Sequence, residues 1–443
     1  MKLNLMGKAL YPLSLIIMIS FISGCTLNPN SPEPLEQTPA PNKVTLKIVE
    51  SLMTPLRTVE LDKLIAQFEL DNPTIEIVRV SSEYETADQT ILTMLEQNQA
   101  IDIVEVRDVT VHQLAESGLI TSLESYISSW SNYMLLNNNA KLMSRDAGDV
   151  AYYIPSSLYQ VQLYYRKDWF DAKALQVPET WEQLFFVGKQ LTKPMERIYG
   201  FSFRGGSGAV NTLSSIVQDY NGENVDISDS MFNTDGSTIF SGKRAAEAVE
   251  LYKKIYTEIS DPASIDWGFN EQVQAFVNGN AALLIQDSDV IEMIKEKLES
   301  SQWATAPLPT GPDGISHYNV GAAGWGIASQ SKHKDEAWKF ISYLSSIENN
   351  RAFADASGVI SIYNNTIEEE KYSTGPYAPY MLMANDPDRF QGVKKPSYYK
   401  NYSQFFQMGT DLGRQHLMNI ISTEELLKQF DDFWRKQGKQ ERD

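Results

Sequence analysis

The sequence predicts an α/β protein of two units, each a doubly wound, mostly parallel sheet flanked by helices. Three observations carry this. From Lys43 onward, short apolar runs of period two alternate with longer runs of helical period, the pattern of strands joined by right-handed crossovers. The alternation starts afresh near Tyr152. And 443 residues exceed what a single hydrophobic core serves.

The elements follow in order. Residues 44–49 read as a strand with Leu46 and Ile48 on one face, and 58–70 as a helix with Leu61, Leu64, Ile65 and Phe68 at helical spacing. Asn72-Pro73 ends that helix, since proline disfavours helical backbone in the residue before it. Strands at 75–80 and 101–106 flank a helix at 87–96. In the second unit, 152–155 and 161–165 read as strands, and 180–191 as a helix opened by Thr180 and Gln183. A strand at 199–203 runs into Arg204-Gly205-Gly206-Ser207-Gly208, a loop whose amides offer a weak match to an anion seat. Helices are expected at 244–256, 271–277 and 290–298, with a strand at 281–285. A Gly-rich strand follows at 321–327, then a helix with Ala337, Phe340, Ile341 and Leu344 in one stripe. The tail at 353–407 is loop-rich and aromatic, and ends in a helix opened by Ser422 and Glu425.

The N-terminus has a different character. Lys2 and Lys8 precede an apolar run at 9–22, interrupted by Pro12 and shorter than the roughly 20 residues of a membrane span. Ile22-Ser23-Gly24-Cys25 resembles the bacterial lipobox, which implies that Cys25 becomes the lipidated first residue of the mature chain; in an ordinary cleaved signal the cysteine would be incidental. Residues 1–24 are thus expected to be a signal peptide. Residues 25–42, with Pro29, Pro32, Pro34, Pro39 and Pro41 among polar neighbours, are expected to be an extended spacer. Cys25 is the sole cysteine, so packing rather than disulfides must hold the fold. A net charge of −19 disfavours nucleic acid and anionic membrane surfaces as partners.

The order and spacing of several stretches are similar to the extracellular solute-binding proteins of the maltodextrin-binding type, which serve ABC importers. They are Phe68 to Glu76; Asp102 with Leu114-Ala115-Glu116-Ser117-Gly118-Leu119-Ile120; Leu163-Tyr164-Tyr165-Arg166-Lys167-Asp168; Pro178-Glu179-Thr180-Trp181; and Phe276-Val277-Asn278-Gly279-Asn280-Ala281-Ala282-Leu283. The resemblance implies a two-lobed clamp that closes on a small solute. By analogy one lobe holds 43–151 and 319–344, the other 152–318 and 345–443. It implies a monomer on the extracytoplasmic face, lipid-anchored, handing solute to the permease subunits of an ABC importer, with no cofactor and no nucleic acid. Where the family often carries Gly and an aromatic after the Ala-rich strand, this chain has Gln286-Asp287-Ser288-Asp289, which departs from the usual sugar platform.

Sugars and polyols present apolar C–H faces and many hydroxyls, so their sites need aromatic platforms beside planar hydrogen-bonding groups. Trp267 and Trp325 are candidate platforms, with core or hinge packing the alternative for each; Tyr84 ranks behind them. Asp108 and Asp287 follow strands that end at the expected cleft and either accept hydroxyls or cap the next helix. Arg57 and Arg204 either donate to the solute or stand in solvent. Trp181, Trp338 and Trp434 fall on helices and read as packing. The expected solute is a sugar, oligosaccharide or polyol, with a small amino compound also open. The rival classes are a glycosidase, which needs two carboxylates across one bond, and a surface sensor or adhesin. No short motif isolates a carboxylate pair, and His112, His317, His333 and His416 lack ligand spacing, so neither a catalytic residue nor a metal site is expected.

Overall fold

The computed structural model describes residues 43–80, 86–148, 150–363, 370–399 and 401–440. The expected signal peptide, Cys25, the spacer and Tyr84 lie outside the described residues. Eleven strands are described: β1 (Val44–Val49), β2 (Ile75–Arg79), β3 (Ile103–Arg107), β4 (Tyr153–Gln160), β5 (Gln162–Tyr165), β6 (Tyr199–Phe201), β7 (Ala281–Gln286), β8 (Ala304–Ala306), β9 (Ser316–Tyr318), β10 (Val320–Ile327) and β11 (Phe390–Gly392). They form a five-stranded sheet in the order β2-β1-β3-β10-β4, a four-stranded sheet in the order β6-β7-β5-β8, and the pair β11-β9. Helices cover the two large sheets, and each sheet has its own hydrophobic core.

Parallel pairing holds for β1 with β2 and β3, and for β6 with β7. The strands that enter or leave each sheet at the crossings run against their neighbours: β10 is antiparallel to β3 and β4, and β5 to β7 and β8. A chain returning from the other sheet arrives without a helical crossover, and nothing then imposes parallel direction.

In the first core, Leu46 and Ile48 of β1 are buried beneath helix Pro55–Asp71, which turns Leu61, Leu64, Ile65 and Phe68 inward. Thr54 caps that helix by accepting from the Arg57 amide at 3.4 Å, and Pro55 takes the first turn, where no amide donor is needed. Phe68 meets Phe340 edge-on at 4.8 Å. The sequence reading ended this lobe at 151 and 344. The five-stranded sheet instead takes in β4, and helix Ile347–Ser357 packs on β4 and on Pro55–Asp71, with Ile360 and Leu158 exchanging backbone bonds at 3.0 and 3.1 Å. Apolar alternation marks a strand without saying which sheet receives it.

The second core joins Leu163, Phe201 and Leu283 to helices Ala209–Asn221 and Gly242–Ile259. Helices Tyr402–Leu417 and Thr423–Gln440 close it with Phe405, Phe430 and Trp434 around Phe240. Trp181 donates to buried Asp219 at 2.7 Å, and Trp338 stacks on Tyr126 at 5.2 Å, so both pack as expected. Among the described residues no helix is long and apolar enough to cross a membrane.

Candidate functional site

The chain leaves the five-stranded sheet at Val161, between β4 and β5, and re-enters it after Asn319, between β9 and β10. The polar groups of both sheets gather at this junction, because the carboxyl ends of β3 and β7 both reach it.

On the first sheet, β3 delivers Glu105 and Asp108. Glu105 accepts from the Ser51 and Leu52 amides at 2.8 and 2.9 Å and from Ser51 Oγ at 3.2 Å, and pairs with Arg57. Arg57, in the first turn of its helix, is 3% exposed. It donates to Tyr159 Oη at 3.0 Å and Ser157 Oγ at 3.3 Å, and lies over the Phe353 ring at 4.9 Å. Burial opposes its charge, but Glu105, Tyr159, Glu50 and Asp289 together outweigh it and keep it protonated. Arg57 is therefore neither solvated nor wholly available. Its Nε alone stays buried without a partner. Asp108, 5% exposed, is paired with Lys395, which arrives from the distant tail. That contact ties the lobes together, helped by Ser397 donating to Asp146 at 3.5 Å and by the His112 and Tyr398 rings at 6.2 Å.

On the second sheet, β7 ends in Asp287-Ser288-Asp289. Tyr164 of β5 donates to the Asp287 carbonyl at 2.8 Å and fixes the turn. Burial raises the Asp287 carboxyl; Lys395 counteracts this and Asp108 reinforces it. Asp289 is pushed up to about 7 by burial and then by Asp287, with Arg57 opposing. Neither Asp108 nor Asp287 caps a helix: Thr110 precedes helix Val111–Glu116, and Asp289 precedes Val290–Lys295. Arg204 carries its charge toward Asp287 and is bonded to the Ser207 carbonyl. The loop around it rests on Trp267, whose carbonyl accepts from the Gly206 amide at 2.9 Å while Gly205 donates to Ser264 at 2.9 Å. Those two amides are spent within the fold. Trp267 is half-buried beside it.

Trp325 is placed elsewhere. It sits mid-strand in β10 opposite Glu105 and Ile154, 1% exposed, within the hydrophobic core of the five-stranded sheet. Of its two readings the structure places it in packing. The structure thus brings Arg57, Asp108, Arg204 and Asp287 to one junction, leaves Trp267 beside the Arg204 loop, and withdraws Trp325. Sequence reasoning missed Glu105, Tyr159, Gln160, Gln162, Asp289 and Lys395. Asp289 was legible as the second acid of the Asp-Ser-Asp turn, whereas Lys395 lies 287 residues from the acid it pairs with.

Several buried side-chain atoms here have no partner: Arg57 Nε, Gln160 Nε2, Gln162 Oε1, Ser288 Oγ, Asp289 Oδ1 and Asn319 Oδ1. Each such group costs about 1–3 kcal/mol until something bonds it. A hydroxyl-rich molecule offers donors and acceptors of the kind these atoms lack. Among the described residues no group of three His, Cys, Asp or Glu side chains could hold a metal ion.

The family model described as bacterial extracellular solute-binding protein matches residues 63–379. A putative ABC transporter periplasmic-binding protein of Escherichia coli K12 is 20% identical over 341 residues, which is 76% of this chain and 74% of that one. A mannitol-binding protein of Pseudomonas aeruginosa is 26% identical over 276 residues, 57% of this chain and 60% of its own. In structure, an ABC transporter solute-binding protein from Agrobacterium radiobacter K84, solved with ribitol, superposes with a TM-score of 0.74 at 20% identity, covering 90% of this chain and 100% of that one.

Proposed function

Because the chain belongs to the bacterial extracellular solute-binding protein family, we propose that it captures a sugar, oligosaccharide or polyol between its two lobes and delivers it to the permease of an ABC importer. The observation that carries this reading is the set of unpartnered buried polar atoms at the lobe junction. Their residues come from both lobes and from the crossings at Val161 and Asn319, so a molecule that bonds them ties the lobes together. A relative named for binding mannitol, and a fold neighbour holding ribitol, support a polyhydroxylated solute.

Binding rather than turnover suits the site. Glu105 is saturated with donors, Asp108 is paired with Lys395, and the remaining carboxylates are neighbours on one turn, not placed across a scissile bond. The lipobox-like Ile22-Ser23-Gly24-Cys25 supports anchoring on the extracytoplasmic face through acyl chains on Cys25, with the Pro-rich spacer holding the body clear of the membrane. The anchored chain acts as a monomer.

A thermal-shift screen against neutral sugars, oligosaccharides and polyols tests the reading, since a ligand that binds only the native state raises its melting temperature. At least one member should raise it in a saturable manner. A flat response across the panel, beside turnover of a chromogenic glycoside, would move the chain to the glycosidase class.

A further inference from the structure

We infer that the solute carries a basic nitrogen on its sugar or polyol frame, and that Asp287 and Asp289 receive it. This rests on the reading proposed above and narrows its substrate class.

The acids around the junction fall into two sets. Glu105 is paired with Arg57, Asp108 with Lys395, Glu50 with Arg79 at 2.8 Å and Asp88 with Arg107 at 2.7 Å. Asp287 and Asp289 are different. Among the described residues neither is held in an ion pair: of the cations near them, Lys395 is committed to Asp108, Arg57 to Glu105 and Arg107 to Asp88, while Arg204 is bonded to the Ser207 carbonyl and acts on Asp287 only through its charge. Two half-buried carboxylates on one turn resist carrying two charges together. A proton relieves that conflict in the free protein, and an ammonium relieves it in the complex.

The unpartnered atoms point the same way. Gln162 Oε1, Ser288 Oγ, Asp289 Oδ1 and Asn319 Oδ1 are oxygens, against only two nitrogens, Arg57 Nε and Gln160 Nε2. Gln162 and Ser288 are fully buried. The Gln162 amide is fixed in orientation because its Nε2 donates to the Pro376 carbonyl at 3.0 Å, leaving the oxygen in need of a donor. On β5, Gln162 shares a sheet face with Tyr164, which bonds the Asp287 carbonyl. A hydroxyl brings one donor along with its own acceptor, whereas an ammonium brings three donors, no acceptor and the opposite charge. The site therefore suits an amino sugar or amino polyol over its neutral counterpart, and disfavours a sugar acid.

Calorimetric titration of matched pairs decides it: glucosamine against glucose, galactosamine against galactose, and 1-amino-1-deoxysorbitol against sorbitol. At least one amine should bind tenfold or more tightly than its hydroxyl partner at pH 8. That preference should shrink at pH 5 and vanish in the Asp287→Asn/Asp289→Asn variant. Equal or tighter binding by the neutral member of each responding pair overturns the inference and leaves the general reading standing. No response to any of the six probes also overturns it, and silence across the wider neutral panel removes the underlying reading as well. If the double variant fails to fold, the wild-type comparison alone already decides.

Discussion

At the scale of single residues, burial decides which candidates do chemistry. Trp325 and Trp267 look alike in sequence, each in a glycine-bearing stretch, yet one is sealed in a sheet core and the other sits half-buried at the junction. Trp325→Ala should open a cavity costing about 3–5 kcal/mol, read as a lowered urea midpoint, while the folded fraction binds solute with native affinity. Lost affinity at an unchanged midpoint would return Trp325 to the site. Asp289 sets a pH dependence. Its carboxyl rises from the ordinary value near 4 to about 7 in the fold, so the folded state holds the proton more tightly than the unfolded chain does. This contribution is fully present below about pH 4 and is lost as pH rises toward 7. The ligand-free protein should therefore lose melting temperature across that window, and Asp289→Asn should flatten the decline. An equally steep decline in the variant would assign the titration to another group.

At the scale of elements, much was legible and the gaps have physical causes. Helix Pro55–Asp71 and strand β1 were readable because one face of each is buried and the other wet, so the apolar period shows. Strand β10 was readable as a strand but not as to its facing: its segment Val320–Ile327 is nearly all buried, and a strand covered on both faces carries no alternation. Within that segment Gly324 has a steric task. A Cβ there would stand 2.0 Å from the Ile154 carbonyl oxygen, at the irregularity where β10 slips against β4. Gly324→Ala should destabilise the fold by more than about 1–3 kcal/mol, because the obstacle is backbone and cannot rotate away. A native midpoint in denaturant would contradict this. Rotation between lobes then falls to the crossings, those at Val161 and Asn319 among them. The site was half legible: acids at strand ends are visible to sequence patterning, whereas Lys395, Glu105 and the amide groups of Gln160 and Gln162 gain meaning only from partners brought by the fold.

At the scale of the whole molecule, the two sheets have separate cores and meet in part through polar contacts, notably the pair between Asp108 and Lys395. Polar interfaces of this kind open and close more readily than apolar ones. Small-angle scattering should therefore show a smaller radius of gyration at saturating solute than without it, and an unchanged radius would count against a clamp. The central claim is that the solute sits at the lobe junction and is gripped by the turn after β7. Calorimetric titration of the best solute into wild type, Asp287→Asn and a remote control, Asp313→Asn on the surface pair with Arg244, tests it most directly. The account predicts an affinity loss of about tenfold or more for Asp287→Asn, about 1.4 kcal/mol or above, with a native urea midpoint and an unaffected control. Native affinity in Asp287→Asn would place the solute elsewhere on the molecule.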